Sequence, residues 1–394
     1  MNDLILTPYF QPILSMSGKN IQGLEVLARG VAPDGTVLGP NSLFGNAGPE
    51  DVKRIDRTIR ERAFARFSEL NLPHLLFINL LPDHFLGIHD PDNDSHVFRS
   101  CNRYGIDPKR VVLEITETAT DRFPEVASIL KRYSDLGFSI AIDDWGAEYS
   151  NFDRLTTLMP SIVKFDARFL WRATTDPSIA EIFCAAVTMV MKLGITVIAE
   201  GIERIEHLYL ALDAGCPFAQ GFLLGRPDAR VPHPEAFTDL LEDGFSNYRE
   251  GKIRHLINQK QHATRYVETM VSELSPGPGL SHTRSRDDLN HQVTGILMRH
   301  PEIIRAYILD RTGIQVSPNL SKPDLDVVRD NAMIGRDWSW RPYYIEMMVN
   351  RRLFDSHYTI TGPYVDPRSG IRIYTVCIVV DPFMVCVDFR DKTS

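Results

Sequence analysis

Residues 111–144 read VVLEITETATDRFPEVASILKRYSDLGFSIAIDD, and the pattern changes twice within them. The run VVLEIT (111–116) is β-rich and apolar, VASILKRYSDLG (126–137) spaces its apolar residues as one face of a helix and closes on a glycine suited to a C-cap, and FSIAID (138–143) is again a strand. The same rhythm extends in both directions, through FQPIL (10–14), IQGLEVLA (21–28), LLFINL (75–80), SIVKFD (161–166), ITVIAE (195–200) and FAQGFLL (218–224), with IAEIFCAAVTMVMKLG (179–194) as a further amphipathic segment. Eight such runs between Tyr9 and Pro227 suit an α/β barrel of TIM type. A doubly wound open sheet is the alternative, because periodicity does not report closure. Only SMSGKN (15–20) separates the first two runs, and its Ser-Gly step signals a turn, so they read as a hairpin and one strand is expected to run antiparallel.

The chain has 394 residues, more than one hydrophobic core usually serves, and its 43% hydrophobic content can bury two. From 231 to 273 it turns polar and helical, and SPGPGLSHTRSRDD (275–288) has the Pro, Gly and Ser content of a linker. The expected division is a barrel over 1–230, a helical connector and linker over 231–288, and a small α+β domain over 289–394. In the last, AYILDRTGIQVS (306–317) reads as strand, turn and strand, and IRIYTVCIVV (371–380) with FMVCVDF (383–389) as two buried strands joined at an Asp-Pro turn. No apolar run approaches the roughly 20 residues of a membrane span, so no membrane insertion and a cytoplasmic setting are expected. A formal charge of -8 argues against nonspecific nucleic-acid binding. The five cysteines show no C-x-x-C spacing and read as buried reduced thiols.

Polar residues stand at the C-terminal ends of the expected strands, where an α/β barrel places its site: Glu25, Asn79, Glu114 and Glu117, Asp143 and Asp144, Lys164 and Asp166, Glu200, and Gln220. A single acid at a strand end is usually a helix cap or a surface charge. Carboxylates converging from several strands on one rim would repel and raise one another's pKa unless cations neutralised them, so a site for one or two divalent metals is expected. Oxygen ligands point to Mg²⁺ or Mn²⁺ rather than zinc.

The same residues resemble the signature of the EAL-domain cyclic di-GMP phosphodiesterases. Glu25-Val-Leu27-Ala-Arg29 is similar to the E-x-L-x-R segment of that family and Gln11-Pro-Ile to its first-strand QPI. Asn79, the Glu114-to-Glu117 stretch, Asp143-Asp144, Lys164 with Asp166, Glu200-Gly-Ile-Glu203 and Gln220-Gly-Phe with Pro227 follow in the family's order. The resemblance implies hydrolysis of cyclic di-GMP to linear pGpG at two metals, Mg²⁺ or Mn²⁺, with Ca²⁺ a candidate inhibitor. Glu25, Asn79, Glu114 and Asp143 would hold the first metal, and Asp143, Asp144 and Glu200 the second. Lys164 and Glu200 would serve the chemistry, and Glu117 would steady the loop after the fifth strand. Gln11, Leu27, Arg29, Asp166, Gln220 and Pro227 would meet the substrate. Pairing as a homodimer is also implied.

The sequence departs from the family pattern at Glu148, which replaces a glycine, and at Leu81, which replaces a serine. A receptor that binds cyclic di-GMP without hydrolysing it is the alternative and shares every binding residue. Loss of Asp144, Lys164 or Glu200 marks such receptors, and all three are present here. A purely structural barrel would show no metal requirement. In the last hundred residues, Tyr307 to Gly313, Gly335 to Tyr344 and Tyr364 to Gly370 resemble a PAS/Cache-like sensor, and Trp338-Ser-Trp-Arg-Pro-Tyr343 resembles the C-terminal module of YkuI-type EAL proteins. Arg336, Trp338, Tyr364 and Asp366 are its candidate contacts to a small-molecule ligand.

Overall fold

The computed structural model describes residues 4–390 except 46, 81–94, 117–122, 148–151, 275–284, 323–325, 363, 367–369 and 381. Two compact units divide the chain, residues 1–249 and 250–394. In the first, β1 (Ile5–Ser15) and β2 (Asn20–Val31) form an antiparallel hairpin, and the two-residue β3 (Val37–Leu38) pairs with the far end of β2. The remaining strands are β4 (Leu75–Asn79), β5 (Val111–Thr116), β6 (Ser139–Trp145), β7 (Ile162–Phe165), β8 (Thr196–Ala199) and β9 (Phe218–Ala219). From β2 through β4 to β9 every neighbour is parallel, and β1 joins β9 to β2 antiparallel, which closes an eight-stranded barrel. Closure decides against the open sheet, and the antiparallel strand is β1. Helices at 123–135 and 177–192 pack outside, each followed within two residues by a glycine at positive φ, Gly137 and Gly194.

Strand alternation builds the inside of this barrel in two layers. Ile13, Phe77, Val112, Ala141, Ile162 and Ile198 form an apolar interior cluster. Two residues further toward the same rim stand Gln11, Asn79, Glu114, Asp143, Lys164 and Glu200, so each strand places one polar side chain above one apolar side chain. On β2 the corresponding pair is Gly23 and Glu25, and a Cβ at Gly23 would lie 2.4 Å from the Phe77 ring. The missing side chain is what lets Phe77 fill the barrel centre.

In the second unit, β10 (Ile303–Leu309), β11 (Asn319–Ser321), β12 (Val328–Asp330), β13 (Tyr358–Ile360), β14 (Tyr364–Val365), β15 (Arg372–Val380) and β16 (Phe383–Arg390) form one antiparallel sheet of order β12-β11-β10-β16-β15-β13, with β14 also on β15. The helix Arg286–Arg299 and the end of the helix Thr238–Leu274 cover one face through Val293, Ile296, Val267 and Met270. Tyr343, Tyr344 and Met347 of the helix Pro342–Phe354 cover the other. Both faces are buried, which is why β15 and β16 read as continuous apolar runs. The segment after the turn at Asp310 is not a full strand as expected. Asp310 Oδ1 accepts from the backbone of Thr312 and Ile314, and Gln315 makes only an isolated bridge to Leu309 before the chain moves on to β11. The expected linker residues 275–284 lie outside the described residues. Among the described residues no helix is long and apolar enough to cross a membrane.

Gly23→Ala should therefore overpack the barrel and lower stability by about 1–3 kcal/mol in urea unfolding. A second substitution, Phe77→Leu, should return part of that loss. An unchanged midpoint for Gly23→Ala would mean that the two-layer interior has room the contacts deny.

Candidate metal centre

The polar layer converges on Lys164. Its side chain is 1% exposed, and its Nζ lies 2.8 Å from Glu114 Oε1, 2.8 Å from Glu200 Oε1, 3.1 Å from Asp143 Oδ1 and 3.4 Å from Glu25 Oε2. Glu25 is further held by Asn79 Nδ2 at 3.2 Å and by Gln220 Nε2 at 2.6 Å. Asn79 and Gln220 thus spend amide N–H groups on one carboxylate, and both carbonyl oxygens remain as acceptors.

Asp143 and Asp144 are adjacent on β6, and regular alternation would send them to opposite faces. The register prevents this. Ile142 pairs with Val163 and Trp145 with Phe165, so two residues of β6 stand opposite the single Lys164 of β7. That is a β-bulge, a feature that re-aims side chains beside functional sites. Asp144 takes φ +57° to achieve it, a left-handed conformation uncommon for a non-glycine residue. Carboxylate oxygens of Asp143, Asp144 and Glu200 consequently lie within 4.8 Å of one another.

The electrostatics follow from burial and crowding. Burial raises the Glu114 carboxyl well above its ordinary range against the pull of Lys164, with Glu25 and Asp143 adding to the rise. Burial likewise raises Asp143, lifts Asp144 to about 6 with the help of Asp143 and Asp166, and lifts Glu200 to about 8. Burial alone would lower the Lys164 ammonium, but Asp143, Glu114, Glu200 and Glu25 together hold it well above its ordinary value. Five carboxylates face one cation here. Glu114 Oε2 and Gln220 Oε1 are buried and take no hydrogen bond from any described residue. An all-oxygen donor set with excess negative charge and open lone pairs fits hard divalent cations.

A cleft of about 480 Å³ opens on this cluster, lined by Glu25, Leu27, Asn79, Asp143 and Asp144 on one side and by Pro40, Phe44 and an ion pair on the other. The pair, Asp56 with Arg60 at 2.9 Å, comes from the helix Pro49–Glu69. Sequence reading missed it. The signal was a charged i,i+4 pair set in the same helical stripe as Ile55, Ile59 and Phe64, all buried.

The other candidate residues are more dispersed. Gln11 stands opposite Glu25 in the hairpin and donates to Gly225 O at 3.2 Å. The Arg29 guanidinium lies 5.7 Å from the Tyr9 ring centre and donates to Ala28 O, with no carboxylate partner among the described residues. Asp166 caps the helix Ala167–Thr175 by accepting from Arg168 N, and neither it nor the half-buried Pro227 lines the cleft. Glu117, Leu81 and Glu148 lie outside the described residues. In the second unit, Trp338, Tyr364 and Asp366 line one cavity, whereas Arg336 is exposed and does not.

Comparison with known proteins places this geometry. The family model of the EAL domain matches residues 4–227, more than half of the chain. The chain belongs to the EAL domain family. A second model, the EAL-domain associated signalling protein domain, matches residues 235–388. The uncharacterized EAL-domain containing protein YkuI of Bacillus subtilis is 26% identical over 385 residues, covering 96% of this chain and 92% of that protein. The crystal structure of YkuI, in complex with substrate c-di-GMP and calcium, superposes with a TM-score of 0.86 at 25% identity over 98% of this chain and 96% of that one. The cyclic di-GMP phosphodiesterase RocR of Pseudomonas aeruginosa is 30% identical over 224 residues, 56% of each protein. Klebsiella pneumoniae BlrP1 in a manganese and cyclic di-GMP complex matches with a TM-score of 0.51 at 33% identity over 57% of this chain and 56% of that one.

The raised carboxyls of this EAL barrel predict a pH dependence. Glu200 titrates near 8 when folded and near 4.5 ordinarily, so between those values the folded chain binds more protons than the unfolded one. Stability from this group is then full below about 4.5 and is lost as the pH rises through about 8. In chelator, the melting temperature should fall from about pH 5 to pH 8.5, fall less in Glu200→Gln, and recover on adding Mn²⁺ most strongly at the upper end. A melting temperature that is equally pH-dependent in both proteins would remove carboxylate crowding as its cause.

Proposed function

We propose that the barrel hydrolyses cyclic di-GMP to linear pGpG with Mg²⁺ or Mn²⁺. The observation that carries this reading is the bulge that sets Asp143 and Asp144 opposite Lys164 and brings their carboxylates within 4.8 Å of Glu200. It is supported by RocR, a cyclic di-GMP phosphodiesterase, and by the divalent ions in the YkuI and BlrP1 complexes.

Glu25, Asn79, Glu114 and Asp143 would hold one cation, and Asp143, Asp144 and Glu200 a second. Two bound cations supply a water of lowered pKa and stabilise the charge that develops on the phosphorus oxygens. The chain's own groups do the rest. Asn79 and Gln220 fix the Glu25 carboxylate through their amide N–H groups, so that it meets a cation without rearranging. Lys164 Nζ balances the acids around it and, once cations take over those carboxylates, would donate to the oxygen of the attacking water. Arg29, which makes no ion pair among the described residues although Glu25 acts on it through space, would take a phosphate oxygen, and Leu27, Pro40 and Phe44 would offer apolar surface to a guanine base. Gln11, Asp166 and Pro227 would also meet the substrate, with Gln11 held on Gly225 O and Asp166 on Arg168 N. Within the same reading the chain works as a homodimer in the cytoplasm and its second unit regulates the barrel.

Purified protein incubated with cyclic di-GMP and Mn²⁺ should release pGpG, and chelator should stop it. Glu25→Ala should reduce turnover by at least about 10²-fold, and Glu200→Gln should impair turnover more than ligand binding. Tight binding without product would make the chain a receptor. Near-full turnover by Glu25→Ala would remove the metal assignment.

A further inference from the structure

The second unit encloses a cavity of about 460 Å³, within the range of small-molecule sites, and hydrolysis in the barrel gives it no role. The hydrogen bonds in its wall can be oriented without ambiguity. An indole N–H only donates, and Trp338 Nε1 lies 2.8 Å from Gln315 Oε1. Gln315 must therefore turn its Nε2 to Ser317 O and to Asn319 Oδ1, each at 2.9 Å. Asn319 is left with its oxygen engaged and its Nδ2 donors free. It is only 8% exposed, it lines the cavity, and no described residue accepts from Nδ2.

The charges in the wall point the same way. Arg305, Arg341 and Asp366 line the cavity, two cations against one acid. Arg305 is already committed, with Nε at 2.6 Å from Asp388 Oδ2 and Nη2 at 3.3 Å from Asp366 Oδ1. Asp366 is thereby drawn onto a guanidinium, with which any ammonium group would have to compete. Arg341 differs. Its guanidinium lies over the rings of Trp338 and Trp340, at 5.5 and 4.7 Å from their centres, with no carboxylate partner among the described residues. Stacking on indoles holds the fork in place and leaves its N–H edge for an acceptor. Tyr307, Tyr343 and Tyr364 complete an aromatic wall.

We propose that this cavity binds a small organic monoanion, a carboxylate on an uncharged planar or apolar body. Arg341 and Asn319 Nδ2 are the donors to the carboxylate, and the tyrosines and Trp338 pack against the body. Arg341, rather than Arg336, is the recognition arginine. None of this depends on whether the barrel hydrolyses cyclic di-GMP.

The test is calorimetric titration and thermal melting of the full-length protein with benzoate and 3-phenylpropionate, with their amides, with phenylalanine and with inorganic phosphate. The two carboxylates should bind and raise the melting temperature, and the amides, phenylalanine and phosphate should bind at least tenfold more weakly. Arg341→Gln and the isosteric Asn319→Asp should each weaken carboxylate binding at least tenfold. If Arg341→Gln fails to fold, Asn319→Asp carries the test alone. Absence of carboxylate binding at millimolar concentration overturns the proposal, as does binding unchanged in Asn319→Asp. Preference for phenylalanine over 3-phenylpropionate would make the ligand a zwitterion, and equal binding of phosphate would make the site a bare anion site; either result overturns the assigned class.

Discussion

The barrel is organised around one buried ammonium. Lys164 is reached by carboxylates from β2, β5, β6 and the end of β8, and it stands itself on β7. Acids and lysine become neighbours only when the sheet is closed and in register. A slip of one residue on any of these strands would turn its polar side chain and the apolar side chain beneath it out of the barrel toward the surrounding helices. Breaking a buried ion pair by removing one partner costs about 3–5 kcal/mol, so each strand is tied to its register by electrostatics as well as by packing. The apolar layer beneath, with Phe77 extending into the space Gly23 leaves, holds the same register from below.

One interruption of that regularity creates the tight carboxylate cluster. Alternation can deliver one acid per strand to the rim, which makes a ring of charge but no tight cluster. The extra residue in β6 doubles the contribution of that strand at the position facing Lys164. Trp145, buried beyond the bulge among the outer helices, fixes where the irregularity ends. Strain at Asp144 and packing at Trp145 are therefore two halves of one device.

Much of this was legible in the sequence, for physical reasons that also set the limit. The eight runs of alternating or continuous apolar residues gave the strands, and the polar residues at the C-terminal ends of those runs gave the rim. Closure was not legible, because it depends on β1 pairing with β9, strands some two hundred residues apart of which β9 is only two residues long. Nor was the bulge, since FSIAIDD has no glycine to announce a left-handed residue. Asp56 and Arg60 were hidden by the expectation that charges lie on the solvated side of a helix. In the second unit the aromatic residues and Asp366 were visible as a cluster of types. Selecting Arg341 over Arg336 required seeing which of them lines the cavity and stacks on Trp338 and Trp340, and finding Asn319 required the hydrogen bonds through Trp338 and Gln315, which join segments that no local pattern links.

The left-handed Asp144 sets robustness and reactivity in opposition. At that position glycine or asparagine would relax the backbone, and loss of a carboxylate there would also quiet the repulsion with Asp143. A laboratory selection that rewards only heat resistance or expression would thus be drawn first to the residues of the rim, and would enrich barrels that fold better with fewer rim carboxylates. An aspartate in that conformation gives up backbone stability for a second carboxylate at the rim.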